Sequence, residues 1–347
     1  MNDILKNTIY NQDLKKALMN IDLSKLKKQS ILITGGLGLI CSTIVDLLIV
    51  ANTTLDLCID IFVADINEEF YKRRYGSYLI KYLKYNALES LNFDDDFDYI
   101  IHGAGLASPD LYINAPVETM LSNFIGVLNL LNYAKEKGTK RMLYISSSEV
   151  YGNTMNGDSF DEDAFGIVGI NTVRSSYCEA KRASEVLCRS FTSEFGLETV
   201  IVRPGHVFGP TASPNDKRVS SVFAYQAARG ETLELKSTGL QKRSYCYSID
   251  CAVAILIALL NGKSGESYNI GHDEVTTIRQ MAEIIAAAAN VVLRVKEPTE
   301  EELKSFNPMS NSVLNNEKIK KIGYSDTFTV EEGLLHTVRI LKELYYS

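Results

Sequence analysis

A tyrosine and a lysine stand four residues apart in the segment Tyr177-Cys178-Glu179-Ala180-Lys181. Positions i and i+4 of a helix share a face, so the two side chains are expected to meet. A phenol has an ordinary pKa of about 10, but an ammonium beside it favours the phenolate and lowers that pKa. Such a pair can take a proton from a sugar or alcohol hydroxyl while a nicotinamide accepts the hydride. Because this spacing is common by chance on helices, the interpretation depends on the motifs that precede it.

A glycine-rich loop comes earlier in the chain. Thr34-Gly35-Gly36-Leu37-Gly38-Leu39-Ile40-Cys41 follows the short β-branched strand 30–34 and opens an apolar helix. Gly35 allows a tight turn, Gly38 lets the backbone approach a pyrophosphate, and the helix N-terminus presents free N–H groups to it. The third position of this fingerprint, usually Gly or Ala, is Cys41, which is small enough for the helix to pack on the strand. We therefore expect a dinucleotide site here.

Asp65 ends the second predicted strand, Cys58 to Ala64. A carboxylate at this point can accept hydrogen bonds from an adenosine ribose and would repel a 2′-phosphate, which favours NAD over NADP. Its separation from the glycine loop exceeds the usual ~20 residues. Arg73 and Arg74 lie nearby and leave NADP as an alternative.

Composition narrows the class of protein. The 347 residues suffice for one large α/β domain with a smaller lobe, and the net charge of −7 argues against a broad nucleic-acid surface. No apolar run approaches the length of a membrane span, and the first residues lack the apolar core of a signal peptide. Six cysteines without a C-x-x-C spacing indicate reduced thiols in a cytoplasmic protein, and four scattered histidines give a metal site no support.

Strand and helix patterns alternate along the first two thirds of the chain. Strands are predicted at 30–34, 58–64, 99–102, 142–146 and 199–203, and helices at 38–51, 68–84, 116–137 and from residue 177. This alternation predicts an α/β fold with a Rossmann-type, doubly wound parallel sheet. We expect residues 1–29 to form a helical extension, 30–204 the NAD-binding domain, and 205–347 mainly a smaller substrate-binding lobe that is interleaved with it.

The order of glycine loop, Ser-Ser-Glu strand end and Tyr-x-x-x-Lys helix resembles the extended short-chain dehydrogenase/reductase family of nucleotide-sugar enzymes. Within that family the likeness is strongest to the UDP-glucuronate decarboxylases, and it covers about residues 30–285. The segments that carry it are Ala107-Ser108-Pro109 with Tyr112, Pro116 and Thr119; Ser146 to Gly152; Arg174 with Tyr177 to Arg182; Asp216 to Ser220 with Phe223; and Gln241 to Tyr245. Ser147 stands where Thr is more usual, and Cys178 and Ala180 stand where Asp and Gly are.

The resemblance implies roles for individual residues. Tyr177 would be the base and Lys181 its electrostatic partner, and Ser147 or Ser148 would hold the sugar's 4-hydroxyl. Glu149 and Arg243 would act around the substrate carboxylate and C5. The implied NAD-binding residues are Gly35, Gly38, Leu39, Ile40, Asp65, Asn86, Ala104, Asn123, Ser146, Tyr177 and Lys181. The implied substrate-binding residues are Pro109, Tyr112, Arg174, Arg218 and Arg243.

The chemistry of these side chains agrees with a decarboxylase. Oxidation at C4 of a glucuronate makes a β-keto acid, whose carboxylate can leave because the ketone takes the electrons as an enolate. Glu149 can handle protons near C5, and the Arg243 guanidinium can hold a carboxylate and stabilise developing charge. The 4-ketone is then reduced again or released.

Other activities remain open. A 4,6-dehydratase places an Asp–Glu pair where this chain has Ser148-Glu149, which weakens that alternative. A C4 epimerase needs only the Ser, Tyr, Lys and NAD and stays possible, as does a catalytically silent nucleotide-binding scaffold. Apolar residues on the 116–137 and 177–195 helices, namely Leu128, Leu130, Leu131, Val186, Leu187 and Phe191, suggest the homodimer interface that the family builds there, or ordinary packing against the sheet.

Overall fold

The computed structural model describes residues 3–89, 91, 93–153, 159–297 and 311–346. Its strands are β1 (Ser30–Thr34), β2 (Asp60–Asp65), β3 (Lys81–Lys84), β4 (Tyr99–His102), β5 (Arg141–Ile145), β6 (Thr199–Pro204), β7 (His206–Phe208), β8 (Leu233–Leu235), β9 (Lys242–Tyr247), β10 (Ser267–Ile270), β11 (Val275–Thr277), β12 (Leu293–Val295) and β13 (Asn311–Ser312). Within the described residues, seven parallel strands form one sheet in the order β10-β6-β5-β4-β1-β2-β3. The predicted Rossmann-type parallel sheet is confirmed.

The helices are α1 (Thr8–Leu18), α2 (Leu39–Leu55), α3 (Glu68–Tyr75), α4 (Leu111–Asn114), α5 (Pro116–Lys137), α6 (Ser175–Phe195), α7 (Val219–Ala228), α8 (Ser248–Asn261), α9 (Ile278–Ala289), α10 (Glu317–Lys320) and α11 (Val330–Tyr345). Short 3-10 turns cover Ile4–Lys6, Ser24–Leu26 and Ser148–Tyr151. No helix of the described segments is long and apolar enough to cross a membrane.

Helices cover both faces of the main sheet. Side chains alternate along each strand, so Leu143 and Ile145 of β5 join the core under α2 and α8. Met142 and Tyr144 join the core under α5 and α6. Helix α8 is buried along almost its whole length, and each of its large aliphatic side chains contributes about 1.5–3 kcal/mol through burial.

Local signals explain where the site helices begin and end. Pro116 occupies the first turn of α5, where its missing N–H costs nothing, and Gly138 ends the helix in a left-handed conformation with φ 67°. Gly196 ends α6 in the same way. The predicted helix over 116–137 is confirmed.

The predicted helix over 68–84 is wrong in its second half. Helix α3 ends at Tyr75, and Lys81–Lys84 forms the edge strand β3 beside β2. The strand is short, with Lys81 and Lys84 exposed at its ends and Tyr82 and Leu83 half-buried between them. Lysines at such positions protect a sheet edge from pairing with other chains.

The part of the chain after residue 204 returns to the main sheet. Strand β10 pairs with β6, and α8 packs on α2. Strands β7, β9, β11 and β13 form a second sheet, and β8 pairs with β12. The later segment therefore adds a strand to the main sheet and a helix that packs on α2. Residues 1–2 of the predicted extension, and 298–310 and 347 of the predicted lobe, lie outside the described residues.

The N-terminal segment packs against its own chain. Helix α1 contacts α2, α8 and α11. The Tyr10 hydroxyl donates to the buried Asp46 carboxylate of α2 at 2.8 Å. On the same helix, Asp13 accepts from the Tyr247 hydroxyl at 3.1 Å and lies 2.9 Å from His336 Nδ1 of α11. The extension therefore joins the sheet domain to the C-terminal helix.

Candidate active site

The glycine loop connects β1 to α2 at the carboxyl edge of the sheet. Gly35 has φ +66°, and a Cβ built there would lie 2.8 Å from the backbone nitrogen of Ala104. Gly38 is the N-cap of α2, and no side chain caps that end. The first N–H groups of α2, from Leu39 onward, are therefore available to a phosphate.

Cys41 stands at the third position of the glycine fingerprint, where a smaller residue is usual, and α2 still packs against β1. The thiol is buried, and a Cβ on Gly103 would lie 2.4 Å from its sulfur. The missing side chain at residue 103 thus makes room for the thiol. Burial raises the pKa of Cys41 to about 12, so the group is a neutral thiol.

Asp65 links the end of β2 to the glycine loop. One carboxylate oxygen accepts from the backbone N–H of Leu37 at 3.2 Å, and the other accepts from that of Asn67 at 3.3 Å. Burial raises the carboxyl pKa, and these N–H groups oppose the rise. The contact with Leu37 holds the carboxylate against the glycine loop.

The other predicted cofactor residues differ in their availability. Ala104 adjoins Gly35, and Asn123 on α5 donates to the backbone oxygens of Leu106 and Thr119. Asn123 Oδ1 is buried and without a hydrogen-bond partner among the described residues. This open acceptor, the tight approach at Gly35 and the uncapped end of α2 fit a bound dinucleotide.

Two predicted cofactor residues use their side chains elsewhere. Asn86 donates to Glu89 at 2.8 Å, beside a cavity of about 370 Å³ at the β3 edge. The Ser146 hydroxyl donates to the buried carboxylate of Glu185 at 2.7 Å. A cofactor role for Ser146 would therefore fall to its backbone.

Tyr177 and Lys181 lie together on the buried side of α6. Lys181 Nζ donates to the backbone oxygen of Ile145 at 2.8 Å. It also lies 5.7 Å from the Tyr177 ring centroid and 4.6 Å from that of Tyr144. The expected proximity of phenol and ammonium on one helix face is present.

The Tyr177 pKa is raised, and the lowering expected from Lys181 is not found. Burial and the charge of Glu149 raise that pKa to about 12, although hydrogen bonds from Ser147 and Tyr112 oppose the rise. Burial lowers the pKa of Lys181 to about 7 against the opposing charge of Glu185. Desolvation disfavours both charged forms and outweighs the attraction on which the sequence prediction relied.

The Ser-Ser-Glu segment forms the turn that follows β5. Ser147 caps the 3-10 turn Ser148–Tyr151 by accepting from the Glu149 N–H at 3.2 Å, and Ser148 is buried. The Glu149 carboxylate lies 3.5 Å from Arg174 Nη1, and its side chain is 21% exposed. Burial raises the pKa of Glu149, while the charges of Arg174 and Arg243 oppose that rise.

Arg243 comes from β9, in the second sheet, and reaches the same site. Its side chain is 3% exposed, and Nη1 donates to the backbone oxygen of Lys242 at 2.9 Å. Burial lowers the pKa of Arg243, and the charge of Glu149 opposes the fall. Two guanidiniums and one carboxyl group thus meet beside the tyrosine.

The predicted substrate residues lie around this centre. The Tyr112 ring stacks on the Tyr177 ring with centroids 4.4 Å apart and planes at 11°. Arg218 Nε donates to both oxygens of Asp216 at 3.0 Å, and its charge lowers the Tyr177 pKa. Pro109 is exposed on the loop before α4.

Several buried polar residues of the site had no sequence signal. His102 Nδ1 lies 2.7 Å from the Thr34 hydroxyl, and burial lowers its pKa to about 3, so the ring is neutral. Glu185, Arg203 and Tyr151 form a buried network beneath the Ser-Ser-Glu turn. Only the i+4 spacing of Lys181 and Glu185 could have suggested one of these contacts.

No group of side chains in the described segments could hold a metal ion. A base beside an ammonium, two serines, and a carboxyl group between two guanidiniums suit the oxidation of an alcohol on a substrate that carries a negative charge.

The model of the NAD dependent epimerase/dehydratase family matches residues 31–271. UDP-glucuronic acid decarboxylase 3 of Arabidopsis thaliana is 35% identical over 266 residues, which are 77% of this chain and 76% of that protein. UDP-glucuronic acid decarboxylase 1 of Danio rerio is 33% identical over 263 residues, 76% of this chain and 61% of that protein.

The fold also matches solved structures. The crystal structure of UDP-glucose 4-epimerase from Thermotoga maritima with UDP-glucose has a TM-score of 0.76 and 24% identity. It covers 91% of this chain, and the match includes 99% of that one. At this identity the likeness establishes the fold alone.

Proposed function

The chain belongs to the NAD-dependent epimerase/dehydratase family, and we propose that within it the chain is a UDP-glucuronate decarboxylase. That it is an NAD-dependent nucleotide-sugar enzyme follows from its relatives. The observation that carries the finer assignment is the Glu149 carboxylate, which lies 3.5 Å from Arg174 Nη1, interacts electrostatically with Arg243, and acts on the charge of Tyr177. An epimerase has no chemical need for a guanidinium pair at this point, whereas a substrate carboxylate needs one.

The first step is the oxidation of C4 of the glucuronate. NAD, when bound along the glycine loop, supplies the oxidant. Tyr177 takes the proton of the C4 hydroxyl, and Ser147, already hydrogen-bonded to Tyr177, orients that hydroxyl. Lys181 stabilises the phenolate form from one turn further along α6.

The second step is the loss of CO₂ from the 4-keto acid. The electron pair of the breaking C–C bond moves into the ketone and forms an enolate, which Tyr177 and Ser147 stabilise by hydrogen bonds. Arg243 and Arg174 hold the carboxylate until it leaves. Glu149, whose pKa is raised by burial, can then carry the proton that C5 needs.

Product analysis tests this assignment. The purified protein is incubated with UDP-glucuronate and NAD, and the products are followed by NMR and mass spectrometry. We expect release of CO₂ and a UDP-pentose or its 4-ketone, and the ratio of the two reports whether the ketone is reduced again. UDP-galacturonate without loss of mass would show an epimerase instead.

Two variants of the arginine cluster sharpen the test. Arg243→Lys keeps the charge but loses the planar pair of donors, so decarboxylation should fall by about 10²-fold or more. Arg229→Lys, which changes an exposed ion pair with Glu231, is the matched control and should leave the rate unchanged. Equal rates in the two variants would remove Arg243 from the mechanism.

We also propose that the enzyme is a homodimer built on α5 and α6. The predicted interface residues Leu130, Leu131 and Phe191 are buried in the core, because they pack against the sheet. The exposed apolar side chains on these helices are Val117, Met120, Leu121, Phe195 and the predicted Val186. These five support a second copy of the chain as the covering partner.

Sedimentation velocity tests the dimer at micromolar concentration. Val186→Glu should shift the protein to the monomer mass, since it places a charge in the proposed interface. Val292→Glu is the control, because Val292 is 59% exposed against 61% for Val186 and lies on neither helix. A wild-type monomer would contradict the proposal.

A cytoplasmic location and a role in supplying sugar nucleotides for cell-surface polysaccharides complete the proposal. All six cysteines are free thiols, five of them buried, which suits a reducing compartment. Fractionation of cells that express the tagged protein would test the location.

A further inference from the structure

A buried carboxylate lies one helical turn beyond Lys181. Glu185 is 3% exposed, and its two oxygens accept from three side chains. Ser146 and Arg203 Nε donate to one oxygen at 2.7 and 2.9 Å, and Arg203 Nη2 donates to the other at 2.6 Å. Arg189 Nη1 approaches the second oxygen at 3.3 Å from the outer side.

Arg203 continues this network into the catalytic turn. Its Nη1 donates to the Tyr151 hydroxyl at 2.8 Å and to the backbone oxygen of Glu162 at 2.7 Å. Tyr151, the last residue of the 3-10 turn that carries Ser148 and Glu149, donates in turn to Asn269 Oδ1 of β10 at 2.6 Å.

The two ends of the network enclose the catalytic turn. Ser146 immediately precedes the turn, and Tyr151 closes it. Both are held by one ion pair whose carboxylate is on α6 and whose guanidinium is at the end of β6. The ion pair therefore determines how the Ser147–Glu149 segment sits against the helix that bears Tyr177 and Lys181.

We propose that Glu185 and Arg203 are positioning residues, whose buried ion pair fixes the Ser147–Glu149 turn against α6 and places the Glu185 carboxylate one helical turn from Lys181. The proposal rests on the proposed function, since it assumes that Lys181 serves catalysis. Neither residue contacts the site where the sugar would react. Both act through their neighbours.

A buried ion pair of this kind adds little net stability to the fold. Removing two charges from water costs as much as their attraction returns, and apolar pairs of similar volume are often as stable. A saturated set of charge-assisted hydrogen bonds does, however, restrict geometry strongly. The arrangement is better explained by the turn that it holds in place.

The charges around Lys181 predict the direction in which its pKa should change when Glu185 is replaced. The titratable groups that face it are Cys41 of α2, His102 of β4, Tyr144 of β5, and Tyr177, Glu185 and Cys188 of its own helix. Cys41 and Cys188 have raised pKa values and are neutral at pH 7, as is His102. Glu185, whose pKa is lowered chiefly by Arg203 against the effect of burial, is the negative charge of this set.

Titration of Lys181 tests the proposal directly. The protein is labelled with [ε-¹³C]lysine, and the Lys181 resonance, assigned with Lys181→Arg, is followed against pH in the absence of sugar. In Glu185→Gln the midpoint should fall by about one pH unit or more, because the opposing charge is gone. In Glu185→Asp it should stay close to wild type. Glu194→Gln, the same change at an exposed position of α6, should not move it.

Two further measurements test the proposal even if the Glu185→Gln variant does not fold. If Glu185→Gln does not fold, Glu185→Gln/Arg203→Met removes both charges together and should still lower the Lys181 midpoint. The pH profile of turnover by the variants should move with that midpoint. A folded variant with an unchanged midpoint would overturn the proposal. Absence of wild-type turnover on UDP-glucuronate would instead overturn the proposed substrate, and the NMR titration would still decide the role of Glu185.

Discussion

Burial controls the chemistry of Tyr177 and Lys181 at the scale of single residues. Both side chains are nearly inaccessible to water, so each is pushed toward its neutral form. The Ser147 and Tyr112 hydroxyls and the Glu185 carboxylate oppose this push. The reactivity of the tyrosine therefore depends on neighbours from three separate segments as well as on the lysine four residues away.

Replacing Tyr177 by Phe removes the base and leaves the ring packing. We expect kcat on UDP-glucuronate to fall by about 10²–10⁴-fold, because proton transfer from the C4 hydroxyl loses its acceptor. NAD affinity, measured by calorimetry, should change little. A Tyr177→Phe variant as active as wild type would favour the scaffold alternative.

Lys181 should make stability depend on pH in a predictable direction. Its folded-state pKa of about 7 lies below the ordinary value of 10.5. Between these values the unfolded chain holds a proton that the folded chain lacks, so unfolding becomes harder as the pH rises. Relative to Lys181→Met, wild type should gain up to about 1.4 kcal/mol per pH unit above pH 7.

Urea unfolding at pH 7, 8 and 9 measures this difference. The control is Lys27→Met, which changes an exposed lysine and should follow wild type at every pH. Parallel pH dependences for wild type and Lys181→Met would contradict a lowered pKa at Lys181.

Secondary structure shows what sequence patterns can predict at the scale of elements. Helix α5 and strand β4 match their predicted bounds because Pro116 and the β-branched run at 99–102 are local signals. Strand β3 was missed because four residues that begin and end with lysine carry no strand signal of their own and form a strand only beside β2. The contacts of Arg203 and Glu185 could not be predicted, since they join β6 to α6 in three dimensions.

Gly35 offers a test of the glycine loop as an element. An alanine there would face both the strain of φ +66° and a contact of 2.8 Å with the backbone of residue 104. We expect Gly35→Ala to lose NAD binding and at least about 1–3 kcal/mol of stability. The loss of binding should be visible by calorimetry even if the protein remains folded.

Gly138→Ala is the matched control for this loop. Gly138 has nearly the same φ, +67°, but no atom lies within 4 Å of the added Cβ. This variant should lose about 1 kcal/mol and keep its NAD affinity. Similar behaviour of the two variants would mean that backbone strain, and not close approach, determines the need for Gly35.

At the scale of the whole molecule, the N-terminal segment is part of the core. Tyr10 reaches a carboxylate in α2, and Asp13 of the same helix contacts residues of β9 and α11. Asp46 also accepts from Tyr75 and Arg74 of α3. The segment that showed the least family likeness thus connects the parts of the fold that the family shares.

Tyr10→Phe tests this connection. The change removes one donor from the buried Asp46 and should lower the free energy of unfolding by about 1–3 kcal/mol. Tyr346→Phe, which alters an exposed hydroxyl with one long contact to Arg229, should cost much less. Equal losses in urea unfolding would show that the segment is only loosely attached.

The closure of the main sheet by β10 has a consequence for how the protein is made. Strand β6 ends at residue 204, but its outer partner spans residues 267–270, and α1 meets α11 only once residue 336 exists. While the ribosome is still adding the later residues, β6 presents an unpaired edge, and α1 has no C-terminal helix to pack on. The native sheet therefore cannot be completed before residue 270 has been made, and chaperones have an exposed strand edge to protect until then.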